Sequence, residues 1–271
     1  MDKLLEAVLD AHGGLHNWAN VTSLTARLSL GGPFWGARGW PDVFDNEVVR
    51  AEAHHEHITF LPFTAPDRSS ELKVGPETIT IFAGAGNVVE QRVNPRATFP
   101  SFEDVTQWDA VQLAYFTSAA VWNYLIAPFV FAMPGVIARE IDPWTEDGET
   151  WRRLAVTFPA TISNHNADQV FYYDEAFMQR RMDYSPDVTG NPPVAHYTYD
   201  PKTFDGFVFP TRRRVLLHDA NGIADHSFAP ITLDIADVTV ERKSAASPLA
   251  NNDSTTSRVR AEQLVDSGVS P

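Results

Sequence analysis

The sequence contains no cysteine. That excludes disulfides, thiolate catalysis and cysteine-ligated zinc or iron–sulfur sites. Positive charge is scarce as well: 21 Lys and Arg face 35 Asp and Glu, a formal charge of −14. Nothing therefore draws the chain as a whole toward nucleic acid or anionic lipid. There is no Gly-x-Ser-x-Gly elbow and no Gly-Lys-Ser/Thr phosphate loop, so serine-hydrolase and P-loop chemistry lack support. No nicotinamide, flavin or phosphate motif implies a cofactor. The run Gly84-Ala85-Gly86-Asn87 lacks the third glycine of a dinucleotide fingerprint and precedes a strand-like segment, which makes it a hairpin turn. Residues 1–7 are acidic where an export signal would be basic and then apolar, so the expected location is cytoplasmic.

Another absence is local. Residues 110–138 contain no charged side chain, a length that could span a membrane. Pro128 and Pro134 divide it, however, and Thr117, Ser118 and Asn123 interrupt it. The expectation is a buried or lid-forming helix ending near Ala127, with no stable membrane insertion. Thr106 and Asp109 have the spacing of a capping box at its start.

What the chain does have is aromatic and apolar mass: 17 Phe, 7 Trp and 7 Tyr, enough for a large core or for a core and a lined pocket. Residues 3–18 read as an amphipathic helix with Leu4, Leu5, Val8 and Leu9 on one stripe. Strands are expected at 23–30, 47–60, 78–83 and 88–93 before the charge-free helix. After it they are expected at 151–158, 168–173, 177–184, 194–199, 207–218 and 230–240. Short turns such as Asp205-Gly206 and Gly190-Asn191 argue for antiparallel pairing. Apolar residues on both faces of a strand, as at Val208, Phe209, Val215, Leu216 and Leu217, demand cover on both sides. The predicted fold is mainly β, of the α+β type: a curved antiparallel sheet forming an unclosed barrel, with helices over its concave face. It is expected to be one domain over 1–243 with a helical insertion at 105–138, followed by a polar tail at 244–271.

Several strings resemble an uncharacterised bacterial family of the LolA-like superfamily. They are Trp108-Asp109 through Tyr115-Phe116, Trp122-Asn123-Tyr124-Leu125, Pro128-Phe129, residues 148–154, Arg181-Met182-Asp183-Tyr184 and residues 209–214. The likeness runs from about Leu4 to Val240. It implies an open antiparallel barrel with helices over its mouth, of the kind that carries lipids or lipoproteins. Lipoprotein transport fits poorly with the missing export signal, whereas an apolar cavity fits well.

Three sets of residues are candidates for chemistry. In His54-His55-Glu56-His57, His55 and His57 would share one strand face and could grip a metal, but two ligands do not complete a site. The alternative is a solvated strand face, and no metal is expected. Trp108, Tyr115 and Trp122 recur every seven residues, so with Tyr124 and Phe129 they form either core or a cavity wall shared with Tyr172. His165, Asp183, Tyr184 and His196 could supply an oriented acid–base pair and an oxyanion donor if strand register brought them together. Otherwise Arg181 and Asp183 belong to a structural cross-strand ion pair with tyrosines at the rim. The function expected first is binding of a small hydrophobic molecule, lipid, terpenoid or polyketide. The alternatives are a cofactor-independent isomerase, lyase or cyclase in the same cavity, and a module that docks another chain through its charge-free segment. Oligomeric state is left open.

Overall fold

The computed structural model describes residues 1–101 and 107–243. The polar tail and Thr106, half of the expected capping box, lie outside them. Asp2 caps α1 (Lys3–Ala11), its carboxylate accepting from the Leu4 amide at 2.8 Å, and the helix buries Leu4, Leu5, Val8 and Leu9 as expected. It does not continue to Trp18. Gly13 and Gly14 take φ of +115° and +83°, and a separate turn, α2 (Leu15–Trp18), follows.

The first half supplies β1 (Val21–Gly31), α3 (Pro33–Ala37), β2 (Phe44–Glu52), β3 (His57–Leu61), β4 (Arg68–Lys73), β5 (Thr78–Ala83) and β6 (Asn87–Val93). Next comes α4 (Ala110–Ile126). The second half supplies β7 (Ile137–Glu146), β8 (Glu149–Thr157), β9 (Asp168–Tyr173), β10 (Gln179–Tyr184), β11 (Val194–Phe204), β12 (Phe207–Leu217) and β13 (Ile231–Arg242). Among the described residues these thirteen strands form a single antiparallel sheet in the order β6-β5-β4-β3-β2-β1-β13-β12-β11-β10-β9-β8-β7. Two meanders thus meet where β1 pairs with β13, Leu24 opposite Val240. The free edges are β6 and β7, and the barrel stays open.

That topology explains the place of α4. The chain leaves one edge at β6 and must reach the other at β7, so the connecting helix crosses the hollow of the curved sheet. It has the composition for the task. From Val111 to Ile126 every residue is buried except Asn123, and a helix covered on all sides needs apolar residues all round. Its start is a capping box three residues downstream of the expected one. The Asp109 carboxylate accepts from the Gln112 amide at 2.8 Å, and the Gln112 side chain accepts from the Asp109 amide at 2.9 Å. It stops at Ile126, before Ala127-Pro128.

Three expectations about strands need correction. Residues 47–60 are two strands with a turn at 53–56. β4 and β7 were not anticipated, because Arg-Ser-Ser-Glu-Leu-Lys and a β7 rich in charge show little apolar alternation. The Asp205-Gly206 turn behaves as read: both residues take positive φ, +49° and +87°, as a tight β-hairpin turn requires.

Candidate functional site

The pleat of β9 to β12 sorts the candidate residues onto two faces. Register pairs Met182 with His196 and Phe171, and His196 with Val215. Phe171, Tyr173, Met182, Tyr184, Val194 and Val215 therefore belong to the main core under α4, while Tyr172, Ala195, Tyr197 and Leu216 form a second cluster on the outer face. His165, Tyr184 and His196 come together on the inner side. Asp183 and Tyr172 do not join them, because period-2 alternation turns both outward.

On the inner face Tyr184 sits between two imidazoles. Its ring stacks on His165, centroids 5.2 Å apart at 15°, and its hydroxyl is 3.5 Å from His196 Nδ1 and 3.4 Å from the Tyr124 hydroxyl. These are long contacts, close to the limit of hydrogen bonding. Burial, with Arg96 adding to it, pushes His165 down to about 3. Burial, then Arg213 and His165, holds His196 well below its ordinary value, and burial raises Tyr184 well above its own. At neutral pH all three are uncharged. Among the described residues neither imidazole has a carboxylate partner on the inner face, and Asp183 lies on the other face, so the His–Asp pair anticipated from sequence is not assembled.

Beneath them Arg213 projects from β12, 1% exposed, with its guanidinium 4.6 Å from the Tyr124 ring centroid. A void of about 10 Å³ is bordered by Arg213, Gln179, Asn123 and Tyr124. A second, of about 20 Å³, is bordered by Trp35, Phe116, Val121, Leu233 and again Tyr124. Tyr124 lies between these two small voids. Of the aromatic residues expected to line it, Trp108 packs against Phe34, Phe99 and Phe116. Trp122 is fully buried and donates to the Glu52 carbonyl at 3.0 Å. Phe129 stacks on Trp18, and Tyr115 accepts from Arg96 at 3.2 Å. Among them Tyr124 borders both of these voids.

The outer cluster is closed and satisfied. Arg181, with no exposed side-chain surface, grips Asp183 through Nε and Nη2 at 2.6 and 3.0 Å. It also donates to Glu146 at 2.8 Å and to the Gly222 carbonyl at 2.8 Å. Tyr172 donates to Asp183 at 2.6 Å and Tyr197 to Glu146 at 2.5 Å. The ion pair is structural, as expected, but Arg181 and Asp183 pair within β10 and not across strands; the partner from another strand is Glu146 of β7.

The histidine cluster is dismantled by the turn at 53–56. His54 and His55 are exposed there. His57 bridges Glu52 and Glu71 at 2.9 and 2.7 Å. Among the described residues no group of three or more His, Asp or Glu could hold a metal ion. Glu56 instead turns inward. It accepts from the Ser163 amide at 2.6 Å, and the Ser163 hydroxyl donates to Glu77. Glu77 lines an open cleft of about 510 Å³ shared with Arg96, Ser163 and Asn164.

Burial raises the Glu56 carboxyl well above the usual range; the Ser163 amide opposes the shift and Glu77 adds to it. Folded Glu56 therefore keeps a proton that the unfolded chain loses above its ordinary value of 4.5. Stability falls as pH rises through that window. Glu56→Gln is expected to match wild type near pH 4 and to exceed it at pH 7 in urea unfolding. An equal deficit at both values would refute the assignment.

Sequence reasoning missed Arg213, Gln179, Tyr173 and Glu56. The signal for Arg213 was present, since alternation along Arg212-Arg213-Arg214-Val215 puts Arg213 on the face of Val215.

No protein-family model matches the chain, and no curated protein matches it significantly. Several solved structures are similar to it. A domain attributed to an outer membrane lipoprotein-sorting protein of Vibrio parahaemolyticus shares 9% identity, over 88% of this chain and 91% of that one, with a TM-score of 0.51. A DUF1329 family protein from Desulfovibrio piger shares 11%, over 89% and 94%, with a TM-score of 0.47. A LolA superfamily protein from Nitrosomonas europaea shares 10%, over 88% and 93%, also at 0.47. At such identities the likeness is one of fold. The class is an open antiparallel half-barrel with a helix across its hollow. Within that class the chain shares its overall fold with the Vibrio parahaemolyticus domain.

Proposed function

We propose that the half-barrel binds a lipid-like hydrophobic molecule between α4 and the concave face of the sheet. The observation that carries this reading is α4 itself. It is free of charge along its length and buried on all sides, and two small voids flank Tyr124 where helix and sheet meet. Displacing a helix that makes no backbone–backbone hydrogen bond to the described strands would open an apolar groove without breaking the thirteen-stranded ladder. The fold likeness agrees with the reading but does not assign a ligand. No described helix is long and apolar enough to cross a membrane. Protein purified without detergent is expected to release a lipid-like component into organic solvent and to carry its mass in native mass spectrometry. A bare chain mass, together with failure to bind a dansylated fatty acid, would end the proposal.

A second reading, a cofactor-independent isomerase, lyase or cyclase, draws on Tyr184 between His165 and His196. A neutral imidazole beside a phenol can relay a proton. Recovery of the extracted ligand unchanged after incubation with the protein counts against it.

A further inference from the structure

The inner face of the sheet carries a charge that no carboxylate among the described residues answers. Among the described residues Arg213 makes one hydrogen bond, from Nη2 to the Tyr124 carbonyl at 3.4 Å, while Nε and Nη1 have no partner. The Tyr124 carbonyl lies in the last turn of α4, where main-chain oxygens lack helical partners and the helix dipole is negative. That contact is long and engages one N–H of five. The ionisable groups that bear on Arg213 are Tyr124, Tyr184, Tyr173 and the imidazole of His196, with no carboxylate among them. A guanidinium does not discharge itself by losing its proton, and a buried charge without a partner is strongly unfavourable. The outer face shows the contrast: Arg181 has two carboxylates.

The surroundings of Arg213 also hold several unpartnered polar atoms, one of them an acceptor, Asn123 Oδ1, and the rest able to donate. Gln179 Nε2, His196 Nε2 and the Tyr173 hydroxyl are buried without partners. Gln179 stands opposite Tyr173 across β9 and β10, and Thr198 opposite Arg213 across β11 and β12. A polar row thus crosses the inner face of an otherwise apolar hollow, and it ends at the void that Arg213 and Gln179 border. On the far side of Tyr124 the second void is lined mainly by apolar side chains.

We infer that this hollow receives an anionic amphiphile, its carboxylate or phosphate head paired with Arg213 and its hydrocarbon chain running past Tyr124 into the apolar side. The inference rests on the hydrophobic-ligand reading above and names the class of ligand. Neither void accommodates a head group as it stands, so admission lifts the C-terminal end of α4 and carries Tyr124 off Arg213. An anionic oxygen then replaces a weak carbonyl contact with a charge-assisted one, and the unused donors gain an acceptor. Burial holds Arg213 near 10, below the ordinary guanidinium value, and an anionic partner would raise it again.

The test uses delipidated full-length protein and three probes with one hydrocarbon chain: oleate, oleyl phosphate and oleyl alcohol. Wild type is expected to bind at least one anion about tenfold or more tightly than the alcohol, the range of a hydrogen bond to a charged group. Whichever anion binds tighter identifies the head-group chemistry. Arg213→Met should lose the anion margin, keep its affinity for the alcohol, and unfold at higher urea because the unanswered charge is gone. Arg213→Lys should retain part of the margin. Equal binding of anions and alcohol by wild type, or an undiminished margin in Arg213→Met, overturns the inference and leaves the hydrophobic-ligand reading intact. Binding of none of the three overturns both. The wild-type comparison decides even if the methionine variant fails to fold.

Discussion

Trp122→Ala is expected to destabilise the protein by about 3–5 kcal/mol, the range for removing a buried tryptophan from a packed core. The indole has no exposed surface and lies within the helix that fills the hollow. Truncation would leave a cavity that the sheet cannot collapse to fill, because the thirteen-stranded ladder holds its curvature. It would also orphan the Glu52 carbonyl at the end of β2, which accepts from the indole at 3.0 Å. That hydrogen bond is only partly buried, so its loss adds about 1 kcal/mol, the net worth of a typical hydrogen bond. Trp122→Phe keeps most of the volume and should lose chiefly the hydrogen bond. Trp122 borders neither void beside Tyr124, so the loss should appear in the urea midpoint and not as a separable defect in ligand affinity. A shift below about 1 kcal/mol, within the range of ordinary surface substitutions and mild core changes, would mean that α4 does not pack as described.

The contrast between Trp122 and Tyr124 shows how far the sequence could be read. A seven-residue repeat of aromatics placed Trp108, Tyr115 and Trp122 on a common stripe, but α4 is buried on every side, so a stripe could not tell wall from core. Tyr124, off that stripe, is the residue that borders both voids. The β-strands of the second half were legible because their apolar alternation is bounded by turn chemistry, and Asp205-Gly206 is the clearest case. β4 and β7 were not, since their pairing is carried by backbone hydrogen bonds in sequences with little apolar pattern. The turn at residues 53–56 was hidden for the opposite reason. Ala51, Ala53 and Ile58 are all buried, and the run looks continuous until the chain reverses.

The candidate site depended on register, which no single strand encodes. Asp183 and Tyr184 are neighbours in sequence and lie on opposite sides of the sheet. The pairing of Met182 with His196 brings Tyr184 within reach of that imidazole, while Asp183 meets Tyr172 and Arg181. The sequence showed that both an acid–base set and a structural ion pair were available. The fold assembles the ion pair outside and leaves the two imidazoles inside without a carboxylate.

That outer network carries the other large effect. Arg181→Met is expected to destabilise by about 3–5 kcal/mol, the range for removing one partner of a buried ion pair. The guanidinium has no exposed surface, and its two carboxylate partners, Glu146 and Asp183, are only 13% and 17% exposed. Without Arg181 they face each other across Tyr172 and Tyr197, whose hydroxyls can donate one hydrogen bond each. The Gly222 carbonyl loses its donor as well, and with it the tie between β10 and the loop after β12. Arg181→Lys should recover little, because an ammonium cannot bind Asp183 through two parallel N–H groups while reaching Glu146. The informative comparison is the triple variant Arg181→Met, Asp183→Leu, Glu146→Leu. Removing all three charges also removes the penalty of leaving two of them unanswered, so it should unfold at higher urea than Arg181→Met alone. If instead the three losses simply add, the residues act independently and the network is not a unit. Anion affinity at Arg213 should be unchanged in any of these variants that fold, because the sheet itself separates the two arginines. A loss of binding in the triple variant at full folding would place the ligand on the outer face.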